Sequence, residues 1–134
     1  MVEQSNEIRI LLVEDDKLMR LGLKLVLNAM TAIKVVGEAE NGLTAIEKTS
    51  ELQPDLVLLD IGLPDLSGLE ALPAIRQQCP KTRILMLTSH DDLVISAIDG
   101  GADGLCKKNV SNEQLYLAIQ SVLAGEKWFD TTEA

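Results

Sequence analysis

The chain reads as an α/β domain built on a doubly wound parallel sheet, and three observations predict it. Short aliphatic runs alternate with longer amphipathic stretches five times, which is a βα unit repeated. Four of the five runs are aliphatic almost throughout, as strands buried on both faces must be. Acids, hydroxyls and a lysine fall directly after the runs, where such sheets gather their functional groups. At 134 residues the chain has the size of one domain.

The first strand, Ile8–Val13, runs into Glu14, Asp15 and Asp16. The stretch 16–30 then carries Leu18, Leu21, Leu25 and Val26 at helical spacing. The second strand, Ile33–Ala39, is the weakest, because Gly37 and Glu38 interrupt it. Asn41 can cap the next helix, whose inner side is Leu43, Ala45, Ile46 and Thr49. The third strand is 55–59, with Asp60 directly after it.

Ser67 and Glu70 fit a capping box at the start of 67–78. Pro73 lies inside that helix and removes one of its hydrogen bonds, so a distorted first turn or a kink is expected. The fourth strand, Arg83–Thr88, precedes a helix over 91–100 with Leu93, Val94, Ala97 and Ile98 on one side. Gly100 and Gly101 stop it. After the fifth strand, Gly104–Lys107, comes the clearest helix, 111–124. Ser111 and Gln114 fit a second capping box, and Leu115, Ala118, Ile119, Val122 and Leu123 form its apolar stripe. The tail GEKWFDTTEA breaks the alternation and holds two of the three aromatics, Trp128 and Phe129. It either packs back onto the domain or begins a connection, which divides the chain into a domain over 1–125 and a tail over 126–134.

Apolar residues make up 46% and aromatics 2%, so the core is aliphatic. Basic residues number 12 and acidic ones 21, a net charge of −9. A chain this acidic does not hold a nucleic-acid backbone by bulk charge. Cys79 and Cys106 fit neither a disulfide framework nor a metal spacing. No secretory signal is legible at the start, and no apolar segment approaches the ~20 residues that span a bilayer. The expected location is the cytoplasm.

In a parallel sheet the strand ends deliver Glu14, Asp15, Asp60, Thr88, Ser89 and Lys108 to one edge. Clustered carboxylates raise each other's pKa unless a cation is present. Oxygen ligands of this kind suit a hard ion, Mg²⁺ above all, which leaves room for a phosphoryl oxygen. A carboxylate between a metal and a lysine is chemically able to accept a phosphoryl group. For an isolated EDD a helix start explains the acids as well, since the helix dipole favours them there. Asp60 has no such helix to cap, and Thr88 and Lys108 gain meaning only from their joint position.

The segments RILLVEDD, PDLVLLDIGLPDLSGLE, ILMLTSHDD and GADGLCKKN, in this order, resemble the receiver domains of two-component response regulators. The resemblance runs from about Ile8 to Gly125 and implies a flavodoxin-like (βα)5 sheet of strand order 2-1-3-4-5. It implies that Asp60 is the phosphoacceptor, with Glu14, Asp15, Asp60 and the Gly62 backbone carbonyl holding Mg²⁺. Thr88 takes the place of the switch hydroxyl and Lys108, rather than Lys107, that of the family lysine. Pro64 and Gly68 match the loop after the acceptor. A sensor histidine kinase is the implied phosphodonor, and the domain is a switch rather than a conventional enzyme.

The stretches GLKLVL and GADGLCKKNVSNEQLYLAI and the GEKWFD tail are most similar to NarL/LuxR-type regulators. Those continue into a helix-turn-helix, so DNA contact is expected only through an output domain outside this chain, with homodimers favoured on phosphorylation. There are three departures from the family pattern. Leu105 replaces the usual switch aromatic, Asn109 replaces a frequent proline, and Gly62 with His90 is an unusual pair at positions that tune acyl-phosphate lifetime. His90 either borders the phosphoryl group or is a surface loop residue. Other readings are a stand-alone receiver in a phosphorelay, a degenerate receiver that is not phosphorylated, and a small hydrolase with an aspartyl-phosphate intermediate. The hydrolase needs a second acid where this chain has Gly62.

Overall fold

The computed structural model describes residues 7–89 and 94–129. Its elements are β1 Ile8–Val13, α1 Lys17–Asn28, β2 Ile33–Ala39, α2 Gly42–Leu52, β3 Leu56–Asp60, α3 Gly68–Gln78, β4 Arg83–Thr88, α4 Val94–Gly100, β5 Gly104–Lys107, α5 Asn112–Leu123 and β6 Trp128–Phe129. All strands pair in parallel, in the order β2-β1-β3-β4-β5-β6.

Strand alternation divides the core in two. Leu11, Val13, Val57, Leu59, Ile84, Met86 and Leu105 face α2, α3 and α4, where they meet Ala45, Ala71, Leu72, Ile75 and Ala97. Ile10, Leu12, Leu56, Leu58, Leu85 and Cys106 face α1 and α5, against Leu27, Leu115, Ala118, Ile119 and Val122. The sheet is thus covered on both sides, and its edge beyond the carboxyl ends of the strands stays open for a site.

The expected elements form, with corrections. The sheet has six strands, not five: Gly104 and Leu105 of β5 pair with Trp128 and Phe129. Part of the stretch assigned to a tail is therefore a strand, and a two-residue strand is too short to show a period in sequence. β3 begins at Leu56 and includes Asp60 as its last residue. α1 turns its Leu18, Leu21 and Leu25 outward, at 79%, 52% and 64% exposure, and buries Leu27 instead. Leu43 of α2 and Ile98 of α4 also point to solvent. His90, Asp91 and Leu93 lie outside the described residues.

The caps follow the sequence closely. Asp16 accepts the Met19 N–H at 3.0 Å and Asn41 the Thr44 N–H at 2.8 Å. Ser67 and Glu70 form a complete capping box, and α3 continues through Pro73 to Gln78. Ser111 accepts the Gln114 N–H at 3.1 Å. Gly101, at φ +97°, turns the chain out of α4 in a left-handed conformation that side chains resist.

Candidate functional site

Four strand ends and their following turns build an acidic pocket. β1 releases Glu14 and Asp15, β3 ends on Asp60, β4 ends on Thr88, and Lys108 follows β5. Glu14 and Asp60 are 1% exposed, whereas Asp15 is open to solvent. One carboxylate oxygen from each of Glu14, Asp15 and Asp60 lies within 4.8 Å of the others.

Lys108 Nζ lies 3.0 Å from Asp60 Oδ1 and 3.5 Å from Glu14 Oε1. The Gly62 N–H also donates to Asp60 Oδ1, at 3.1 Å. Glu14 Oε2 accepts the Asp16 N–H at 3.1 Å. The other two oxygens, Glu14 Oε1 and Asp60 Oδ2, are buried without a hydrogen bond. Such oxygens are costly unless something positive sits beside them. Lys108 supplies one charge against two buried carboxylates, and the remaining imbalance is what a hard divalent cation corrects. The donor set therefore fits a metal ion.

Electrostatics agree. Burial pushes the Glu14 carboxyl above its ordinary value, and the Asp60 charge adds to this, while the Asp16 N–H and Lys108 offset part of it. For Lys108 burial works against the charged form. The Asp60 hydrogen bond and the charges of Asp60 and Glu14 outweigh burial, and its pKa is raised.

The loop after Asp60 is fixed tightly. Gly68 donates to the Ile61 carbonyl at 2.9 Å, and a β-carbon on Gly68 would run into the Asp60 carbonyl oxygen. Asp65 reaches from this loop to the N-terminus of α2 and accepts the Gly42 N–H at 2.8 Å and the Leu43 N–H at 3.2 Å. On the other side, the Lys108 N–H donates to the Thr88 carbonyl at 2.8 Å. A cleft of about 390 Å³ there is lined by Thr88, Ser89, Lys107, Lys108 and Asn109.

The structure thus brings together Glu14, Asp15, Asp60, Gly62, Thr88 and Lys108. Sequence reasoning missed Arg20, whose Nη1 donates to the Glu14 carbonyl at 2.7 Å, and Asp65. An arginine in the otherwise apolar LMRLGL stretch was the available signal for the first. For Asp65 no local pattern pointed to a helix 22 positions earlier in the chain.

Comparison with known proteins gives one answer. The model of the response regulator receiver domain matches residues 10–120. The nitrate/nitrite response regulator protein NarL of Escherichia coli K12 is 39% identical over 119 residues, covering 87% of this chain and 55% of that protein. The response regulator protein VraR of Staphylococcus aureus Mu3 is 37% identical over 125 residues, covering 92% and 60%. The chain therefore spans little more than half the length of these relatives. Among solved structures, a LuxR-family two-component response regulator from Aurantimonas sp. superposes with a TM-score of 0.87 at 33% identity, covering 92% of this chain and 89% of that one. The signal receiver domain of a NarL from Mycobacterium tuberculosis gives 0.84 at 30%, covering 90% and 98%. With the matched model extending from β1 into α5 and the acidic pocket inside it, this chain belongs to the receiver domains of two-component response regulators.

Proposed function

We propose that Asp60 accepts a phosphoryl group from the phosphohistidine of a sensor histidine kinase, and that the modified domain switches an output carried by a longer protein. The observation that carries this reading is the Asp60 carboxylate. It is buried and oriented through Oδ1 by Lys108 and Gly62, with Oδ2 left without a hydrogen bond. A lone pair of Asp60 attacks phosphorus in line. The bond from phosphorus to the imidazole nitrogen breaks, and the histidine leaves after taking up a proton.

Glu14, Asp15, Asp60 and the Gly62 carbonyl are the groups to hold Mg²⁺. An ion bound there would neutralise charge on the transferred oxygens. Lys108 passes its donors from the Asp60 carboxylate to a phosphoryl oxygen, and the Thr88 hydroxyl closes on another. Both lie on or beside the strands β4 and β5, so their movement biases the surface around α4, β5 and α5. The relatives are named as response regulators and are longer than this chain, which supports an output carried outside the receiver domain; a transcriptional output and pairing of phosphorylated copies are parts of the same proposal.

Incubation with Mg²⁺ and acetyl phosphate, followed by intact mass measurement beside Asp60→Asn, tests the reading. One added phosphoryl group on the wild type, absent from the variant and abolished by chelator, is expected. No addition to the wild type would refute it.

A further inference from the structure

We propose that Arg20 is a positioning residue that sets the geometry of the Glu14–Asp15 acid pair for a divalent cation. The inference rests on the metal reading of the pocket. Arg20 lies on α1, and its side chain is 15% exposed, so its charge is largely out of water and needs partners. It has them on both sides. Nη1 donates to the Glu14 backbone carbonyl at 2.7 Å, and Nε to Glu38 Oε1 at 3.2 Å. Lys24 holds the other oxygen of Glu38 at 2.9 Å, which fixes Glu38 in turn.

The acceptor on Glu14 matters more than the pairing. Its carbonyl belongs to the rigid peptide plane that joins Glu14 to Asp15. Rotation of that plane swings the Asp15 carboxylate relative to the Glu14 carboxylate. Apart from Oε1, the other polar handles of Glu14 are already tied: its N–H donates to the Ala39 carbonyl at 3.0 Å, and Oε2 accepts the Asp16 N–H. Arg20 closes the last freedom and leaves Glu14 Oε1 as the oxygen presented to the pocket.

Charge alone makes the opposite prediction, which gives the inference a sharp test. Removing a cation near clustered carboxylates strengthens cation binding by simple electrostatics. Removing a positioning contact weakens it. Mg²⁺ titration by calorimetry should therefore compare the wild type, Arg20→Met, Arg20→Lys and Lys24→Met. The last removes one charge from the same network without touching Glu14.

Roughly a tenfold weaker Mg²⁺ affinity is expected in Arg20→Met, with a smaller loss in Arg20→Lys, which keeps a single donor group. Lys24→Met should bind as the wild type does or slightly tighter. Unchanged or tighter binding in Arg20→Met overturns the inference. Should Arg20→Met not fold, Arg20→Lys decides, and wild-type affinity there overturns it. No Mg²⁺ uptake by the wild type would overturn the metal reading itself, and this inference with it.

Discussion

Lys108 grips Asp60 at 3.0 Å, Nζ to Oδ1, and in doing so stands as the cation between two buried carboxylates. Replacing it with methionine leaves Glu14 and Asp60 facing each other. In chelator, Lys108→Met should be about 2 kcal/mol less stable than the wild type, below the usual cost of breaking a buried pair because Lys108 is partly solvated. Added Mg²⁺ should return more stability to the variant than to the wild type. Urea unfolding with chelator and with Mg²⁺ measures both, and equal midpoints in chelator would contradict the account.

Gly62 and Gly68 flank one loop and make opposite demands. A β-carbon on Gly62 would meet nothing closer than Asp60 Oδ1 at 3.9 Å, an ordinary contact. On Gly68 it would strike the Asp60 carbonyl oxygen and come within 2.8 Å of the Ile61 α-carbon, and backbone cannot step aside as a side chain can. Gly68→Ala should cost about 2 kcal/mol and slow phosphorylation from acetyl phosphate, while Gly62→Ala stays within ~0.5 kcal/mol. Similar unfolding midpoints for the two variants would show that the loop yields.

Asp103 directly precedes β5, far in sequence from its partners. Arg76 of α3 reaches it at 2.6 Å, the Ile84 N–H of β4 at 2.8 Å and Lys127 at 3.1 Å. Burial raises its pKa, but the Ile84 N–H and the two cations outweigh this and hold it below the usual value. A depressed folded pKa means stability that is complete above the unfolded value of about 3.9 and lost as pH falls through the folded one. Asp103→Asn should cost about 2 kcal/mol at pH 7. Its deficit against the wild type should hold steady from about pH 7 to 5 and shrink below about pH 4. A constant deficit across that range would mean the carboxylate charge plays no part.

Much of the fold was legible because strands buried on both faces leave an unmistakable run of aliphatic residues, and because caps are local. Asp16, Asn41 and Ser67 accept hydrogen bonds from backbone three positions on, a distance any sequence window contains. The site residues were legible for a topological reason: parallel strands place whatever follows them on one edge. The failure on α1 has a physical cause. KLMRLGLKLVLN is apolar on more than one side, so Leu18, Leu21 and Leu25 share helical spacing, and so do Leu23 and Leu27. Periodicity finds both stripes, and only packing against β1 and β2 decides which turns inward. Contacts such as Arg20 to the Glu14 carbonyl or Arg76 to Asp103 depend on that packing and leave no local trace.

The two stripes of α1 should respond differently to substitution. Leu21→Gln changes a half-exposed side chain and should alter stability by less than ~0.5 kcal/mol. Leu27→Ala empties a fully buried position between α1 and the sheet and should cost about 3 kcal/mol. Chemical unfolding ranks them. A Leu21→Gln loss near that of Leu27→Ala would place the first stripe inside the fold.

Trp128 and Phe129 extend the sheet past β5, each toward a different layer. Trp128 packs with the α1 and α5 side of the core and Phe129 with the α2, α3 and α4 side that holds Leu105. Leu105 pairs with Phe129 in register, so β6 brings an aromatic beside the position where the family pattern has one. The strand is also pinned at its start. Trp128 N–H donates to the Asp103 carbonyl at 3.2 Å, while Lys127 pairs with the Asp103 carboxylate. A chain ended at Gly125 gives up both contacts and two half-buried aromatics and should lose about 2 kcal/mol, roughly half the cost of emptying fully buried aromatic sites. Trp128 is the one tryptophan, so its fluorescence reports β6 directly. In Phe129→Ala the emission should shift to the red at a urea concentration below that which unfolds the α-helices by circular dichroism. Coincident transitions, with the truncated chain as stable as the intact one, would show that β6 adds nothing to the fold.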